Sequence, residues 1–251
     1  MLVLNCDLGE LVGDASNDAL VMPLIDQANI ACGAHAGDTQ SMINTVKLAI
    51  KHNVKIGAHP SYPDRENFGR KSIAITKTVL QASLTAQINA LNEICLKQHT
   101  RLCYVKPHGA LYNDMMKDFT IFNTVCQAVA MVNKKLNYQL TLMVQALPNI
   151  QQYQKVADTY NLSLLFEAFA DRAYQGNGLL VPRTEPNAVL HQQNDVLKQI
   201  SQLINHQQLT CINGESLTLH VDSLCVHGDN EAALLLVKAL RKLINSSHSE
   251  K

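Results

Sequence analysis

The sequence predicts an α/β protein built as a single β/α barrel, on three observations. Short apolar or β-branched runs alternate with longer amphipathic segments along the 251 residues, as in parallel strands joined by crossover helices. Polar residues follow one apolar run after another, which is typical of a barrel mouth. No linker or low-complexity segment divides the chain. We therefore expect one domain over residues 1–245 and a flexible polar tail over residues 246–251.

Six apolar runs are predicted as strands, and a seventh, at 141–144, brings the number close to that of a closed barrel. The six are 2–4, 27–30, 55–58, 102–105, 164–167 and 224–226. Helical spacing of apolar residues predicts helices over 39–52, 76–98, 119–134, 149–160, 187–205 and 230–244. Asp38 and Thr76 stand where helix N-caps belong. Residues 209–221 are expected to form a hairpin around Asn213 and Gly214.

Composition narrows the classes of function. The chain is 47% hydrophobic and 17% charged, which suits a buried core, and it has 21 basic and 21 acidic side chains. This balance gives no electrostatic footprint for nucleic acid or an anionic membrane. The start resembles no signal peptide and no apolar window is long enough to span a membrane, so we expect a cytoplasmic protein. Seven cysteines without a CxxC pair argue against a disulfide framework or a structural zinc site.

Candidate site residues collect directly after the predicted strands. In a parallel barrel the loops at the carboxyl ends of the strands meet on one face, so residues far apart in sequence converge there. In chain order these residues are Asn5, Asp7 and Glu10; His35; His59 and Arg70; Lys106, His108 and Tyr112; Glu167, Asp171 and Arg172; and His227.

Four histidines, His35, His59, His108 and His227, each follow an apolar run beside Gly or Pro. One such histidine is as often structural as functional, but four at equivalent positions favour a site. A carboxylate facing them, for which Asp7 is the candidate, can orient a base, accept a proton or bind a metal.

Other candidates have structural alternatives. Asp7 and Glu10 are also placed to act as an N-capping pair for a following helix. Asp171 and Arg172 are either functional or a local surface ion pair. Arg70 and Arg183 lie in loops, where they either hold a carboxylate or are solvated.

The charged residues permit two further components. Lys106 stands between an apolar run and Pro107, where a buried ammonium needs an anion, so we expect it to contact substrate or phosphate. Two or three imidazoles with one carboxylate would suit zinc or manganese, but no HExxH motif is present and the metal stays open. The sequence has no GxxxxGK[ST] motif, so any nucleotide must be held in another way or by another chain.

Six runs of sequence resemble a known family. They are 5–10 (NCDLGE), 29–38 (NIACGAHAGD), 57–64 (GAHPSYPD), 105–112 (VKPHGALY), 167–172 (EAFADR) and 225–229 (CVHGD), and together they span most of the chain. On these runs the sequence resembles the LamB/YcsF proteins, which form the A subunit of the bacterial ATP-dependent 5-oxoprolinase.

The resemblance implies a seven-stranded, TIM-like β/α barrel akin to the glycoside hydrolase and deacetylase barrels. It implies a chain that works with two partner subunits, B and C, to cleave 5-oxo-L-proline to L-glutamate, with ATP as cosubstrate, Mg²⁺ accompanying it, and ADP and phosphate as products. Under this hypothesis Asp7 or one of three histidines activates water, while Lys106 and Arg172 offset negative charge. The catalytic set is then Asp7, His35, His59, Lys106, His108, Asp171 and Arg172, and the substrate-binding set is Asn5, Glu10, Arg70, Tyr112 and His227.

Two other classes of function stay open. One is a stand-alone metal-dependent deacetylase or amidohydrolase, which the Asp and His residues and the fold analogy favour. The other is a noncatalytic subunit that binds a small acid for a partner enzyme.

Overall fold

A closed barrel of seven parallel strands forms the centre of the computed structural model, which describes residues 2–11, 17–226 and 231–249. Its strands are β1 (Val3–Leu8), β2 (Gln27–Ala31), β3 (Lys55–His59), β4 (Leu102–Val105), β5 (Thr141–Gln145), β6 (Leu164–Phe169) and β9 (Ser223–Cys225). They pair in chain order, and β9 closes the barrel by pairing with both β6 and β1. The predicted fold class is confirmed.

Helices follow most strands and cover the barrel. They are α1 (Asp18–Val21), α2 (Thr39–Lys51), α3 (Lys77–Lys97), α4 (Gly109–Met115), α5 (Phe119–Asn133), α6 (Gln151–Asp158), α7 (Gln193–His206) and α8 (Glu231–Ser249). Both predicted N-caps are confirmed: Asp38 accepts from the Ser41 amide in a capping box, and Thr76 accepts from the Val79 amide. No described helix is both long and apolar enough to cross a membrane.

The hairpin predicted around Gly214 is confirmed. It consists of β7 (Gln208–Thr210) and β8 (Ser216–Thr218), which pair antiparallel outside the barrel. Gly214 has a φ of +85°, a value that favours glycine in such a turn.

The barrel interior holds a network of polar side chains and the ring of a buried tyrosine. Ser223 donates to Gln27 and accepts from Asn5, and the Asn29 amide donates to Asn5, so these inward side chains satisfy one another. A Cβ added at Gly57 would lie 2.2 Å from the ring of Tyr104. The missing side chain at Gly57 is therefore what lets the buried tyrosine occupy the interior.

Some predicted boundaries were wrong. The first strand was expected to end at residue 4, but β1 continues to Leu8, because its inward residues are polar and hydrogen-bonded within the barrel. The helix expected from residue 187 begins at Gln193, because the preceding segment pairs with the backbone beside Arg172. The sequence also did not predict α4.

The C-terminal helix was predicted to end too early. It was expected to end at residue 244, whereas α8 continues to Ser249. The division into a domain over residues 1–245 and a flexible tail stays a prediction.

Candidate active site

Asn5 and Asp7 lie on the inner face of β1, within the strand and not in a loop after it. Asn29, on β2, donates from its amide to Asn5 Oδ1 at 2.7 Å and to Asp7 Oδ1 at 2.8 Å. The buried Tyr104 hydroxyl donates to Asn29 Oδ1 at 2.6 Å, which fixes the orientation of that amide. Asn29 and Tyr104 thus position the catalytic candidate Asp7.

Lys106 is the central cation of the site. Its ammonium lies 3.0 Å from Asp7 Oδ1 and 2.8 Å from Glu167 Oε1, with the side chains of Lys106, Asp7 and Glu167 2%, 15% and 0% exposed respectively. Burial alone lowers the pKa of Lys106, but the neighbouring negative charges outweigh burial and hold it well above its usual range. Tyr112 donates to the other oxygen of Glu167 at 2.8 Å. The chain itself therefore supplies the anions that offset this ammonium, and contact with phosphate stays a prediction.

Three of the four predicted histidines converge. The rings of His35 and His108 stack with centroids 3.8 Å apart, and His59 meets both edge-on. His59 Nε2 lies 2.9 Å from His108 Nδ1 and 3.2 Å from Asp7 Oδ2. Burial, with a smaller contribution from His59, lowers the pKa of His35 to about 3 and that of His108 to about 2. Both are neutral imidazoles near pH 7.

Two backbone carbonyls orient these rings. His59 Nδ1 lies 2.7 Å from the Lys106 carbonyl, and His108 Nε2 lies 3.0 Å from the Phe68 carbonyl. Because a carbonyl only accepts, each of these nitrogens carries the hydrogen. The opposite nitrogens, His59 Nε2 and His108 Nδ1, then turn toward each other.

The loop before α3 closes over the histidines. A Cβ added at Gly69 would lie 2.9 Å from the Cβ of His35 and 3.1 Å from Cδ2 of His108, and its φ of +63° favours glycine. Arg65 donates to the carbonyls of Gly33 and Gly37 and so ties this loop to the loop after β2. Neither Gly69 nor Arg65 was predicted as part of the site, because their role depends on a loop-to-loop contact.

Glu10 reaches the same cluster from the loop after β1. Its Oε1 lies 3.3 Å from His35 Nε2 and 3.5 Å from His108 Nδ1. Glu10 therefore lies inside the site, and this position is favoured over the N-capping alternative.

A cavity of about 370 Å³ opens at this end of the barrel. Asp7, His59 and Lys106 lie among its lining residues, and its wall includes Phe169 and the segment 179–184. Three exposed basic side chains also line it: Arg70, Lys117 and Arg183. The arrangement can take a small anion whose reacting atoms face the Asp7 and His59 pair.

Comparison with known proteins identifies the family. The LamB/YcsF family profile matches residues 2–251. The chain belongs to the LamB/YcsF family. It is 46% identical over 244 residues to the 5-oxoprolinase A subunit of Vibrio cholerae serotype O1, covering 96% of this chain and 97% of that protein. It is also 46% identical over 246 residues to the 5-oxoprolinase A subunit of Pseudomonas fluorescens, with 97% of each covered.

Two solved structures share the fold of this chain. A lactam utilization protein from Thermus thermophilus superposes with a TM-score of 0.88 at 30% identity, covering 98% of this chain and 97% of that one. A putative cellobiose-phosphate cleavage protein from Enterococcus faecalis has a TM-score of 0.55 at 10% identity, covering 98% and 94%, and shares the fold alone.

The remaining predicted residues of this LamB/YcsF chain lie in different settings. Tyr112 and Arg70 line the cavity, and their predicted contact with substrate stays a prediction. Arg172 also lines it, but its guanidinium donates to the carbonyls of Val181 and Ala188, so it anchors the cavity wall. Asp171 follows β6, where its carbonyl accepts from the Leu190 amide, and its predicted catalytic role stays a prediction. His227 lies outside the described residues.

Proposed function

We propose that this chain forms the lactam-opening site of an ATP-dependent 5-oxoprolinase, and that it works with two partner subunits, B and C, on 5-oxo-L-proline. The observation that carries the proposal is the Asp7 and His59 pair, held beside the Lys106 ammonium at the floor of a cavity rimmed by cations. The names of its relatives, the 5-oxoprolinase A subunits and a lactam utilization protein, support the same substrate class.

The cavity suits a small cyclic amide that carries a carboxylate. The rim cations Arg70, Lys117 and Arg183 would attract that carboxylate, and Phe169 offers an apolar surface to the ring. The net charge of the chain is zero, so the attraction belongs to this rim and not to the molecule as a whole.

The chemistry requires activation before hydrolysis, because an unstrained lactam resists water. Transfer of the γ-phosphoryl group from ATP to the lactam oxygen makes the carbonyl carbon electrophilic. One water then adds to this carbon, the C–N bond breaks and the nitrogen takes a proton. A second water releases phosphate from the resulting acyl phosphate and leaves L-glutamate.

Within this scheme the Asp7 carboxylate accepts the proton of the attacking water. It faces the cavity, and His59, which also lines the cavity, holds its Nε2 3.2 Å from Asp7 Oδ2 and so positions that carboxylate. Lys106 offsets the negative charge that develops at the carbonyl. The chain lacks a GxxxxGK[ST] motif, so we assign the adenine nucleotide with its Mg²⁺ to a partner subunit or to a shared surface.

A second candidate, a stand-alone metal-dependent amidohydrolase or deacetylase, is favoured by the grouping of Glu10 with His35, His59 and His108. The deciding experiment measures glutamate release from 5-oxo-L-proline by the chain alone and mixed with its partner subunits, with and without ATP.

The oxoprolinase proposal expects glutamate from the mixture with ATP and none without ATP. Glutamate or acetate release by the isolated chain without ATP, from a panel of lactams and N-acetyl compounds, would support the amidohydrolase instead. A mixture that stays active when Asp7 and His59 are both replaced would indicate a noncatalytic subunit.

A further inference from the structure

The donor atoms of four side chains meet at one point of the barrel mouth. One ligand atom from each of Glu10, His35, His59 and His108 lies within 4.8 Å of every other, and the three histidines are buried. The four come from different segments, namely the loops after β1 and β2, the end of β3 and the residue before α4. Their convergence is a product of the barrel, not of one local turn.

The ring hydrogens are directed away from this point. The Lys106 carbonyl takes the hydrogen of His59 Nδ1, and the Phe68 carbonyl takes that of His108 Nε2. Two lone pairs then face each other across 2.9 Å. His35 Nε2 lies 3.3 Å from Glu10 Oε1, to which it donates in the absence of a metal; with the hydrogen on Nδ1, which has no described hydrogen-bond partner, it turns a third lone pair toward the cluster.

The facing lone pairs of His59 Nε2 and His108 Nδ1 need a cation between them. A proton on His59 Nε2 would satisfy its contacts with His108 and Asp7. It would leave His108 Nδ1 facing Glu10 Oε1 at 3.5 Å with no hydrogen between them. One ion at the centre of the four donors accounts for all of these approaches at once.

Three of the six separations between the donors are close to those of a metal coordination sphere, and all six are within 4.8 Å. Ligands at about 2.1 Å from a zinc-like ion lie about 3.0 Å apart at right angles and about 3.4 Å apart in a tetrahedron. The separations here are 2.9 Å for His59 and His108, 3.3 Å for Glu10 and His35, and 3.5 Å for Glu10 and His108.

The carboxylates nearby favour a cation. Asp7, Glu10 and Glu167 bring three negative charges close to the single ammonium of Lys106. The carboxylates outnumber this ammonium, so a cation is favoured at the point where the donors meet. Three imidazoles with one carboxylate suit zinc, manganese or cobalt better than magnesium or calcium, which prefer oxygen ligands.

We infer that Glu10, His35, His59 and His108 bind one divalent first-row transition metal ion beside Asp7. This site goes beyond the oxoprolinase function and stands independently of it. A metal there would lie at the floor of the cavity, where it could polarise a carbonyl oxygen or a water.

The test is metal binding by the full-length chain prepared without a histidine tag. The protein is stripped with EDTA, incubated separately with Zn²⁺, Mn²⁺ and Co²⁺, freed of unbound ion and assayed by elemental analysis. The visible absorption of bound Co²⁺ reports its coordination. We expect about one equivalent of metal per chain and a cobalt spectrum of low coordination number with nitrogen ligands.

Variants locate the ion. His59→Gln and His108→Gln should weaken binding by at least about tenfold, since even partners outside the ligand set cost about 10- to 100-fold. His206→Gln, at an exposed position on α7, is the matched control and should bind like wild type. Stripped wild type that takes up none of the three ions overturns the inference, whatever the variants do. Equal binding by wild type and both site variants overturns it too.

The two proposals fail separately. Metal uptake is measured without substrate, so a protein that takes up no metal does not contradict the proposed ATP-dependent release of glutamate. Glutamate release by a metal-free complex would sink a catalytic role for the ion but not its binding.

Discussion

Replacing Lys106 by methionine tests whether the buried ion-pair network holds the site together. Methionine keeps most of the length of the side chain but removes the ammonium that faces Asp7 and Glu167 at 3.0 and 2.8 Å. Removing one partner of a buried pair costs about 3–5 kcal/mol, because the remaining charge has no counterion. Glu167 is fully buried, so we expect a loss of about 4 kcal/mol in the free energy of unfolding.

Urea unfolding at neutral pH measures this loss as a lower midpoint at unchanged slope. Lys117→Met, at an exposed lysine on the cavity rim, is the control and should stay within about 0.5 kcal/mol of wild type. Adding Glu167→Gln to Lys106→Met removes one orphaned charge and should restore part of the stability. A Lys106→Met protein within about 1 kcal/mol of wild type would refute the account of this network.

Three further outcomes are expected. Gly57→Ala places a methyl group 2.2 Å from the Tyr104 ring and should cost at least about 1–3 kcal/mol of stability; adding Tyr104→Leu should reduce that cost, and a neutral Gly57→Ala contradicts the packing. Alkylation of the native protein at pH 8 should label the half-buried Cys103 and spare the six buried thiols, as mass spectrometry can check; equal labelling contradicts their burial. The pKa values of His35 and His108 are lowered to about 3 and about 2, so between about pH 7 and 5 the unfolded histidines gain protons and the folded ones do not. Metal-free protein should therefore lose about 2 kcal/mol of its free energy of unfolding for each of the two histidines over this range. Equal unfolding free energies at the two pH values contradict this.

The barrel was predictable because short strands alternate with helices in a regular pattern along the chain. The predicted strand boundaries were wrong where the inner face of the strand is polar. Asn5 and Asp7 interrupt the apolar run of β1, yet they belong to the strand because Ser223, Asn29 and Lys106 satisfy them across the barrel.

The set of site residues was predictable in outline because strand ends meet at one face. The contacts that these residues make with one another were not predictable. Glu167 was identified as a strand-end residue, but its bond to Lys106 depends on the position of β6 relative to β4, which are separated by β5 in the barrel. In the sequence, Asn29 and Tyr104 look like ordinary strand residues. Their role in holding Asp7 is visible only in the cross-strand contacts of the structure.

The most direct test of the account measures ATP-dependent glutamate release by the assembled complex carrying Asp7→Asn in this chain. The substitution keeps the shape of the side chain and removes the carboxylate that pairs with His59 and Lys106. We expect a loss of about 10²- to 10⁴-fold in rate while the complex still assembles, with Asp195→Asn, on the exposed face of α7, behaving like wild type. An Asp7→Asn complex that releases glutamate at the wild-type rate would place the reacting centre outside this barrel.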